Sequence, residues 1–224
     1  VALTRSSKTG EKDWLHINAV SHDPNRDHIF LSVNVFSEVW IIHHGISSEA
    51  AQRKGSAGDI LYRFGNPQVA RLGTCLDQIL FCQHCVTFLH GVPGQGNLLV
   101  FNNGRAPDRH WSTVEEFKLP DSIGFGEPFT LEKAKVGCKQ SAVWKFGPAI
   151  GRRGSFYSTH ISGCQRLPNG NTLITQGPQG IVIEVTHEGE EVWRYVSPVM
   201  QADSAVAYVR QGGQRESGSF SLFC

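Results

Sequence analysis

Three histidines of this chain occupy equivalent positions in a repeating sequence unit, and histidine is a residue type that can take part in catalysis. They are His16, His84 and His160. Each is followed by a turn and then an apolar run, and the residue directly after the turn lies 11 to 13 positions after the histidine. A neutral imidazole can attack an electrophile, move a proton or bind a transition metal. If the repeats are arranged around an axis, the three imidazoles converge on one point. The matched positions therefore predict a site.

The elements that must position these histidines form a repeating unit of four β-like segments. A third segment recurs at 37–42, 112–117 and 180–185, and a fourth at 59–64, 141–146 and 191–196. In each copy the fourth segment carries an aromatic residue, then Arg or Lys, then another aromatic residue. Four short strands per unit, bounded by Gly, Pro and Asn turns, are typical of a β-propeller blade. The sequence predicts an all-β protein, a β-propeller with four-stranded blades, with about three blades plus a terminal strand in this chain.

The same segments predict the organisation of the chain. Residues 1–13 are expected to be a polar lead-in, and 14–200 a single propeller domain or part of one, with blades at about 14–66, 80–148 and 156–198. The tail, 201–224, holds one candidate strand at 204–209. Propellers typically have about four to eight blades, so three do not close a ring. We expect the missing blades to lie upstream in a longer parent chain or to come from a second chain.

Composition excludes several partners. The 224 residues include 24 glycines and 10 prolines, which suits strands and turns, and the formal net charge is only +1. Without a basic stripe, nucleic acid is not an expected partner. No apolar run approaches the roughly 20 residues of a membrane-spanning helix, so no membrane span is predicted. The first residue is Val1 rather than Met, which suggests a processed product or a fragment.

Other polar residues admit two interpretations. Arg105 follows a strand and a turn, where it either binds an anion bidentately or is a solvated loop residue. Asn102 and Asn103 are either turn residues or donors to the same anion. The histidines in polar turns are expected to be solvated: His22, His28, His90, His110 and His187. His43 and His44 are expected to cap a third strand.

The cysteines do not decide the compartment. An even number permits 15 full pairings, and both disulfides and free buried thiols remain open. The six are Cys75, Cys82, Cys85, Cys138, Cys164 and Cys224. The close pair Cys82 and Cys85 lacks the second pair that a zinc site of this kind needs.

Five strings resemble the bacterial arylsulfotransferase family. They are 13–20 (DWLHINAV), 65–68 (GNPQ), 83–84 (QH), 99–104 (LVFNNG) and 165–174 (QRLPNGNTLI). The resemblance extends from about residue 13 to 198. It implies a six-bladed propeller that moves a sulfuryl group from an aryl sulfate to a phenol through a sulfohistidine, with no nucleotide sulfate donor and no cofactor. It also suggests an extracytoplasmic location, periplasmic or secreted.

The resemblance extends to individual residues. His16 and His84 are similar to two assisting histidines, Arg105 resembles the arginine of the site, and His160 is the nucleophile by its order in the chain. Tyr157, with Phe156, is a candidate for stacking on the phenol, although core packing is an alternative role for both. The expected small-molecule partners are an aryl sulfate donor and a phenolic acceptor, with Asn102 and Asn103 as further substrate-binding candidates.

Two other functions remain open. Three converging imidazoles suit a transition metal, although Arg105 at the same place argues against a cation. A binding propeller without catalytic activity is the second alternative.

Overall fold

Three antiparallel sheets of four strands each dominate the computed structural model, which describes residues 13–52, 60–121, 123, 140–148, 153–201 and 207–209. Sheet 1 contains β1 (Ile17–Asp23), β2 (His28–Val33), β3 (Glu38–His43) and β4 (Ile60–Phe64). Sheet 2 contains β5 (His84–Phe88), β6 (Leu98–Asn102), β7 (Thr113–Phe117) and β8 (Ala142–Phe146). Sheet 3 contains β9 (Gly163–Arg166), β10 (Thr172–Gln176), β11 (Ile181–Val185) and β12 (Glu191–Val196).

The remaining elements are short. β13 (Val199–Gln201) pairs with β14 (Ala207–Val209), which coincides with the end of the predicted tail strand. Helix among the described residues is limited to α1 (Ser48–Ala51) and the 3₁₀ turns Pro67–Ala70, Cys75–Asp77, Arg153–Ser155 and Gly177–Gln179. No helix of this part is long and apolar enough to cross a membrane. The all-β prediction is therefore confirmed, and the described sheets have the predicted four strands.

Each sheet is a meander in chain order, because strands that follow one another in the chain pair side by side and antiparallel. In sheet 3 the turn between β9 and β10 is closed by hydrogen bonds between Leu167 and residues 170 and 171. Gly170 supplies the positive φ of 91° that this turn requires. Buried and half-buried side chains then alternate along β10 and β11, as expected for a sheet with one face against the core.

The aromatic–basic–aromatic segments form the fourth strands, and the basic residue has a defined role. Arg63 on β4 pairs with Glu38 on the neighbouring β3, at 2.5 Å between Nη2 and Oε2. Lys145 on β8 pairs in the same way with Glu115 on β7, at 3.0 Å. Burial raises the pKa of Glu38, and the Arg63 guanidinium opposes that effect. In sheets 1 and 2 the signature thus places a cation next to a buried carboxylate on the neighbouring strand.

The sheets pack face to face through two apolar clusters. The first strand of sheet 2, β5, lies against β1 on one side and β9 on the other, an arrangement that is propeller-like. Between sheets 1 and 2, Phe30 stacks on Phe88 with ring centroids 5.3 Å apart. Between sheets 2 and 3, the buried Arg166 donates to Glu116 at 2.6 Å. The core therefore lies between the sheets and fixes how they are docked.

Some predictions fall outside the described residues. They include the lead-in up to residue 12, the part of the tail after residue 209, and Cys138 and Cys224. The four described cysteines, Cys75, Cys82, Cys85 and Cys164, are free thiols. One expectation is wrong: His28 is not solvated but 1% exposed, because it begins β2 and its ring packs edge-on against His43.

Candidate active site

The three predicted histidines line one open cavity of about 560 Å³, at the end of the sheets where the first strands begin. His16 precedes β1, His84 begins β5 and His160 lies shortly before β9. The cavity is lined by His16, Asn34, Cys82, His84, Gly104, Arg105, Ala106, Tyr157, Thr159, His160 and Ile161. The structure thus brings together all four predicted catalytic residues and Tyr157, with contributions from all three sheets.

Left-handed backbone conformations border the histidines. His16, Cys82, Cys85 and Ile161 have φ angles of 45°, 50°, 53° and 41°. Residues other than glycine rarely adopt this region, and each such residue costs on the order of 1 kcal/mol. The surrounding sheets hold these four residues in strained conformations, which direct the chain around the cavity.

His16 is oriented by its own short turn. The Asp13 carboxylate accepts a hydrogen bond from the His16 backbone N–H at 3.1 Å and contacts Nδ1 of the imidazole. This contact lowers the pKa of Asp13. The backbone carbonyl of His16 accepts from Asn34 N at 3.1 Å, which ties the turn to the end of β2. With Nδ1 occupied by Asp13, Nε2 is the ring nitrogen left for a ligand.

Gln83 explains why His84 lies where it does. The Gln83 side chain is fully buried and donates to the Glu38 carbonyl at 2.8 Å and to Ser32 Oγ at 3.2 Å. The backbone carbonyl of Gln83 accepts from the side-chain amides of Asn18 and Asn34, both at 3.0 Å. Gln83 therefore joins the start of β5 to sheet 1 and fixes the backbone directly before His84.

His84 is held in place by a hydrogen bond to the buried side-chain amide of Asn103. Its Nδ1 lies 2.8 Å from Oδ1 of Asn103. The Asn103 amide group donates to the Ser158 carbonyl at 2.7 Å and to Ser162 Oγ at 3.3 Å, which leaves its oxygen facing the imidazole. An oxygen acceptor requires that Nδ1 carries the proton. Nε2 of a neutral His84 therefore bears the free lone pair.

Burial lowers the pKa of His84, which favours this neutral form. The hydrogen bond to Asn103, and after it the one to the Cys82 backbone, oppose the shift, and positive charge on His16 or His160 adds to it. The two neighbouring imidazoles are thus close enough to influence His84 electrostatically. A half-buried, neutral imidazole of fixed tautomer is suited to nucleophilic attack or to taking up a proton.

Arg105 provides the positive charge of the cavity. Gly104 precedes it with a φ of 84°, and a Cβ at Gly104 would lie 2.4 Å from the Trp111 carbonyl oxygen. Arg105 is exposed, and its Nη1 lies 3.8 Å from Cys82 Sγ. No carboxylate among the described residues is within salt-bridge distance of it, and none of the described lining residues is acidic. The cavity is therefore suited to an anion.

His160 and Tyr157 form the wall contributed by the segment before β9. His160 is exposed, with Nδ1 2.7 Å from the Thr159 hydroxyl, and its carbonyl accepts from Ser162 Oγ at 2.9 Å. The Tyr157 carbonyl accepts from Gln179 at 2.9 Å, which holds the backbone while the ring lines the cavity. Phe156, by contrast, is a core residue, 5% exposed.

The two asparagines do not line the cavity. Asn102 is fully buried and bonded to backbone, since its Oδ1 accepts from Phe81 N at 2.8 Å and its Nδ2 donates to the Ile79 carbonyl at 2.7 Å. Asn103 acts on His84. Direct substrate contact by either one stays a prediction, and their hydrogen bonds favour positioning roles.

A thiol pair lies beside the site. Cys85 Sγ is 3.8 Å from Cys164 Sγ, and it accepts from the Cys164 backbone N–H at 3.1 Å. The hydrogen bond from the Cys164 thiol, followed by that from its backbone N–H, lowers the pKa of Cys85 to about 6, although burial opposes this. Burial raises the pKa of Cys164. This contact was not predictable from residue spacing, because the two cysteines are 79 positions apart.

The chain matches the profile of a known protein family. The arylsulfotransferase (ASST) family profile matches residues 3–208, which is most of the chain. The chain belongs to the arylsulfotransferase family. The resemblance of the five strings to this family is thereby confirmed.

Other similarities are more distant. No curated protein matches the chain significantly. Among solved structures, it is similar to a protein of unknown function from Bacteroides caccae, with 15% identity and a TM-score of 0.43, over 85% of this chain and 51% of that one. The chain thus spans about half the length of that protein.

Proposed function

We propose that this chain provides the catalytic cavity of an aryl sulfate sulfotransferase, which transfers a sulfuryl group from an aryl sulfate to a phenol through a sulfohistidine. The observation that carries the proposal is the convergence of His16, His84, His160 and Arg105 on one cavity in a chain of this family. Its volume of about 560 Å³ is in the range of small-molecule sites.

In the first half-reaction, Nε2 of His160 attacks the sulfur atom of the donor. A nitrogen–sulfur bond forms, the bond from sulfur to the aryl oxygen breaks, and the phenolate leaves. The sulfuryl group carries negative charge on three oxygens in a transition state of this kind, as in phosphoryl transfer. Arg105 supplies a guanidinium for these oxygens, and Tyr157 offers a ring to the aryl group.

In the second half-reaction, the acceptor phenol attacks the same sulfur atom and the nitrogen–sulfur bond breaks. The acceptor must lose its proton, and His84 is suited to take it, because its Nε2 lone pair is free and its lowered pKa keeps it neutral. The proton is then available to protonate the next departing phenolate.

The features of His84 also suit a nucleophile. Its tautomer is fixed by Asn103, whereas the Nδ1 partner of His160 is a hydroxyl, which can donate or accept. His84 is therefore the second candidate for the sulfated residue. A three-histidine metal site is less favoured, since the ring nitrogens of His16, His84 and His160 do not form a ligand cluster within the described residues.

We also propose that a further sheet packs against sheet 3 as part of a complete propeller ring. The fourth-strand aromatic residues of sheets 1 and 2 are covered by the following sheet: Tyr62 is 2% exposed and Trp144 8%. The corresponding residues of sheet 3, Trp193 and Tyr195, are 48% and 45% exposed. Exposed stacked aromatic residues at the equivalent place favour a further sheet that packs there, from the parent chain or a second chain.

The test is to trap the intermediate. The protein is mixed with an aryl sulfate without acceptor, and intact mass and peptide mapping detect the addition of one sulfuryl group. We expect the group on His160, lost in His160→Asn and retained in His90→Asn, a matched change of an exposed histidine outside the cavity. Acceptor phenol should then discharge it.

The outcomes separate the alternatives. A sulfuryl group found on His84 and lost only in His84→Asn keeps the reaction and moves the nucleophile. If folded protein neither releases phenol nor gains a sulfuryl group from any of several aryl sulfates, the proposal is wrong and a binding role is favoured.

A further inference from the structure

A second group of histidines lies at the other end of sheet 1, away from the cavity. His22 is near the end of β1 and His44 directly follows β3, while Asp27 lies in the turn between β1 and β2. Six residues of strand separate His16 from His22, which corresponds to about 20 Å. This group therefore takes no part in the chemistry of the cavity.

The three side chains converge on one point. His22 Nε2 and His44 Nδ1 each lie 2.8 Å from the same carboxylate oxygen, Oδ1 of Asp27. All three ligand atoms lie within 4.8 Å of one another. Ligands of a tetrahedral Zn²⁺ at Zn–N and Zn–O distances of about 2.0–2.1 Å are separated by about 3.3 Å. To hold an ion, the two histidine–carboxylate distances would lengthen by about 0.5 Å and the two imidazole nitrogens would come to a similar separation.

The backbone holds this arrangement in place. Asp23 accepts from the backbone N–H groups of Asn25 and Arg26, which closes the turn, and Asp27 has a left-handed φ of 52°. The His44 N–H then donates to the Asp27 carbonyl at 2.9 Å. Ligands positioned by a turn and by sheet hydrogen bonds need little reorganisation to bind a metal.

Neighbouring groups leave room for the ion and add to its environment. At Gly45 a Cβ would lie 2.7 Å from Asp27 Oδ2 and 3.2 Å from His43 Nε2, so any larger residue would crowd the carboxylate. The side chains of His22, Asp27 and His44 are 46%, 39% and 63% exposed. Water can therefore reach the remaining coordination positions.

We propose that His22, Asp27 and His44 form a Zn²⁺ site with water in the open positions. Two neutral imidazoles and a carboxylate are a donor set that Zn²⁺ uses. Metal binding requires a lone pair on His22 Nε2 and His44 Nδ1, so each imidazole keeps its proton on the other ring nitrogen. The bound ion links the β1–β2 turn to the end of β3 and stabilises sheet 1.

The experiment measures Zn²⁺ binding to the whole chain by calorimetry or by competition with a chromophoric chelator. Loss of a group that only orients a metal ligand weakens metal binding by about 10–100-fold. We therefore expect loss of a ligand itself, in His22→Gln, His44→Gln or Asp27→Asn, to weaken Zn²⁺ binding by about 100-fold or more. Asn tolerates a left-handed backbone, so Asp27→Asn keeps the turn. The matched control, His90→Gln, replaces an exposed histidine elsewhere and should leave binding unchanged.

The active-site histidines need their own control. His84→Asn should retain the binding, and added Zn²⁺ should raise the melting temperature of the wild type and of His84→Asn but not of His44→Gln. The inference is overturned if the wild type binds Zn²⁺ no more tightly than His44→Gln. It is also overturned if His84→Asn abolishes binding while His22→Gln does not. Neither readout depends on sulfuryl transfer.

Discussion

The ion pair between sheets 2 and 3 gives the sharpest test of how the sheets are docked. Arg166 on β9 is 1% exposed and Glu116 on β7 is 7% exposed at the side chain, with Nη2 and Oε2 2.6 Å apart. Arg166 also donates to the Gly170 carbonyl at 3.0 Å and lies over the Trp144 ring at 4.6 Å. Replacing Arg166 by Met keeps an apolar chain over the ring and removes the charge.

Arg166→Met leaves the Glu116 carboxylate buried, with Asn97 as its remaining side-chain donor, at 2.6 Å, in the part of the chain that the structure describes. Removing one partner of a buried ion pair costs about 3–5 kcal/mol. In a chain of this size 1 kcal/mol corresponds to about 2–4 °C, so the melting temperature should fall by about 6–20 °C.

The matched control is an arginine pair on the surface. Arg194 and Glu191 on β12 are joined by the same type of bond at 2.5 Å, but their side chains are 47% and 36% exposed. Arg194→Met should cost at most about 1 kcal/mol. Thermal unfolding followed by circular dichroism measures both variants. If the two lower the melting temperature equally, burial is not what makes the Arg166 pair important and the reasoning is refuted.

A double variant completes the test. Glu116→Gln together with Arg166→Met removes both charges, so it should recover a large part of the stability lost in Arg166→Met alone. A double variant that is less stable than the single one would show that the apolar and hydrogen-bonding contacts, rather than the unpaired charge, carry the cost.

Three further experiments test residues that surround or support the cavity. Asn103→Leu removes the hydrogen bond that raises the pKa of His84 and fixes its tautomer, so kcat should fall by about 100-fold or more, with the acidic limb of its pH profile moved to lower pH. Alkylation of Cys85, followed by peptide mapping, should have a midpoint near pH 6, since its pKa is lowered to about 6; Cys164→Ala removes the thiol that donates to it and should raise the midpoint. Gly177→Ala places a Cβ 1.7 Å from a backbone oxygen, so it should destabilise the chain by about 3 kcal/mol or more in thermal unfolding.

Local signals were sufficient for the strands. The fourth segment was expected at 141–146 and β8 spans Ala142–Phe146, and the third was expected at 112–117 where β7 spans Thr113–Phe117. These segments were recognisable because alternating apolar residues and the aromatic–basic–aromatic signature are properties of neighbouring positions. The offset at the start of β7 arises because Ser112 bonds to Phe156 and Ser158 of the neighbouring segment and not to a ladder partner.

The support of the site was not predictable, because it depends on contacts between distant residues. Asn103 follows a strand and resembles a turn residue. Its oxygen is turned towards His84 only when the segment before β9, which contains Ser158 and Ser162, is docked. Gln83 belonged to a recognised string, yet its bonds to Glu38 and Ser32 join residues that are 45 and 51 positions apart in the sequence. His28 looked polar and solvated, and burial by β1 and β3 is a property of the sheet.

The amide of Gln83 has a consequence for how the proposed activity would be acquired during folding. Its bonds to sheet 1 exist only when sheets 1 and 2 are docked, and the Asn103 carboxamide is oriented only when the segment before β9 has joined them. A refolding chain whose strands have all formed separately would therefore have normal circular dichroism and an unaligned His84. Recovery of turnover would report the last docking event, later than any spectroscopic signal of strand formation.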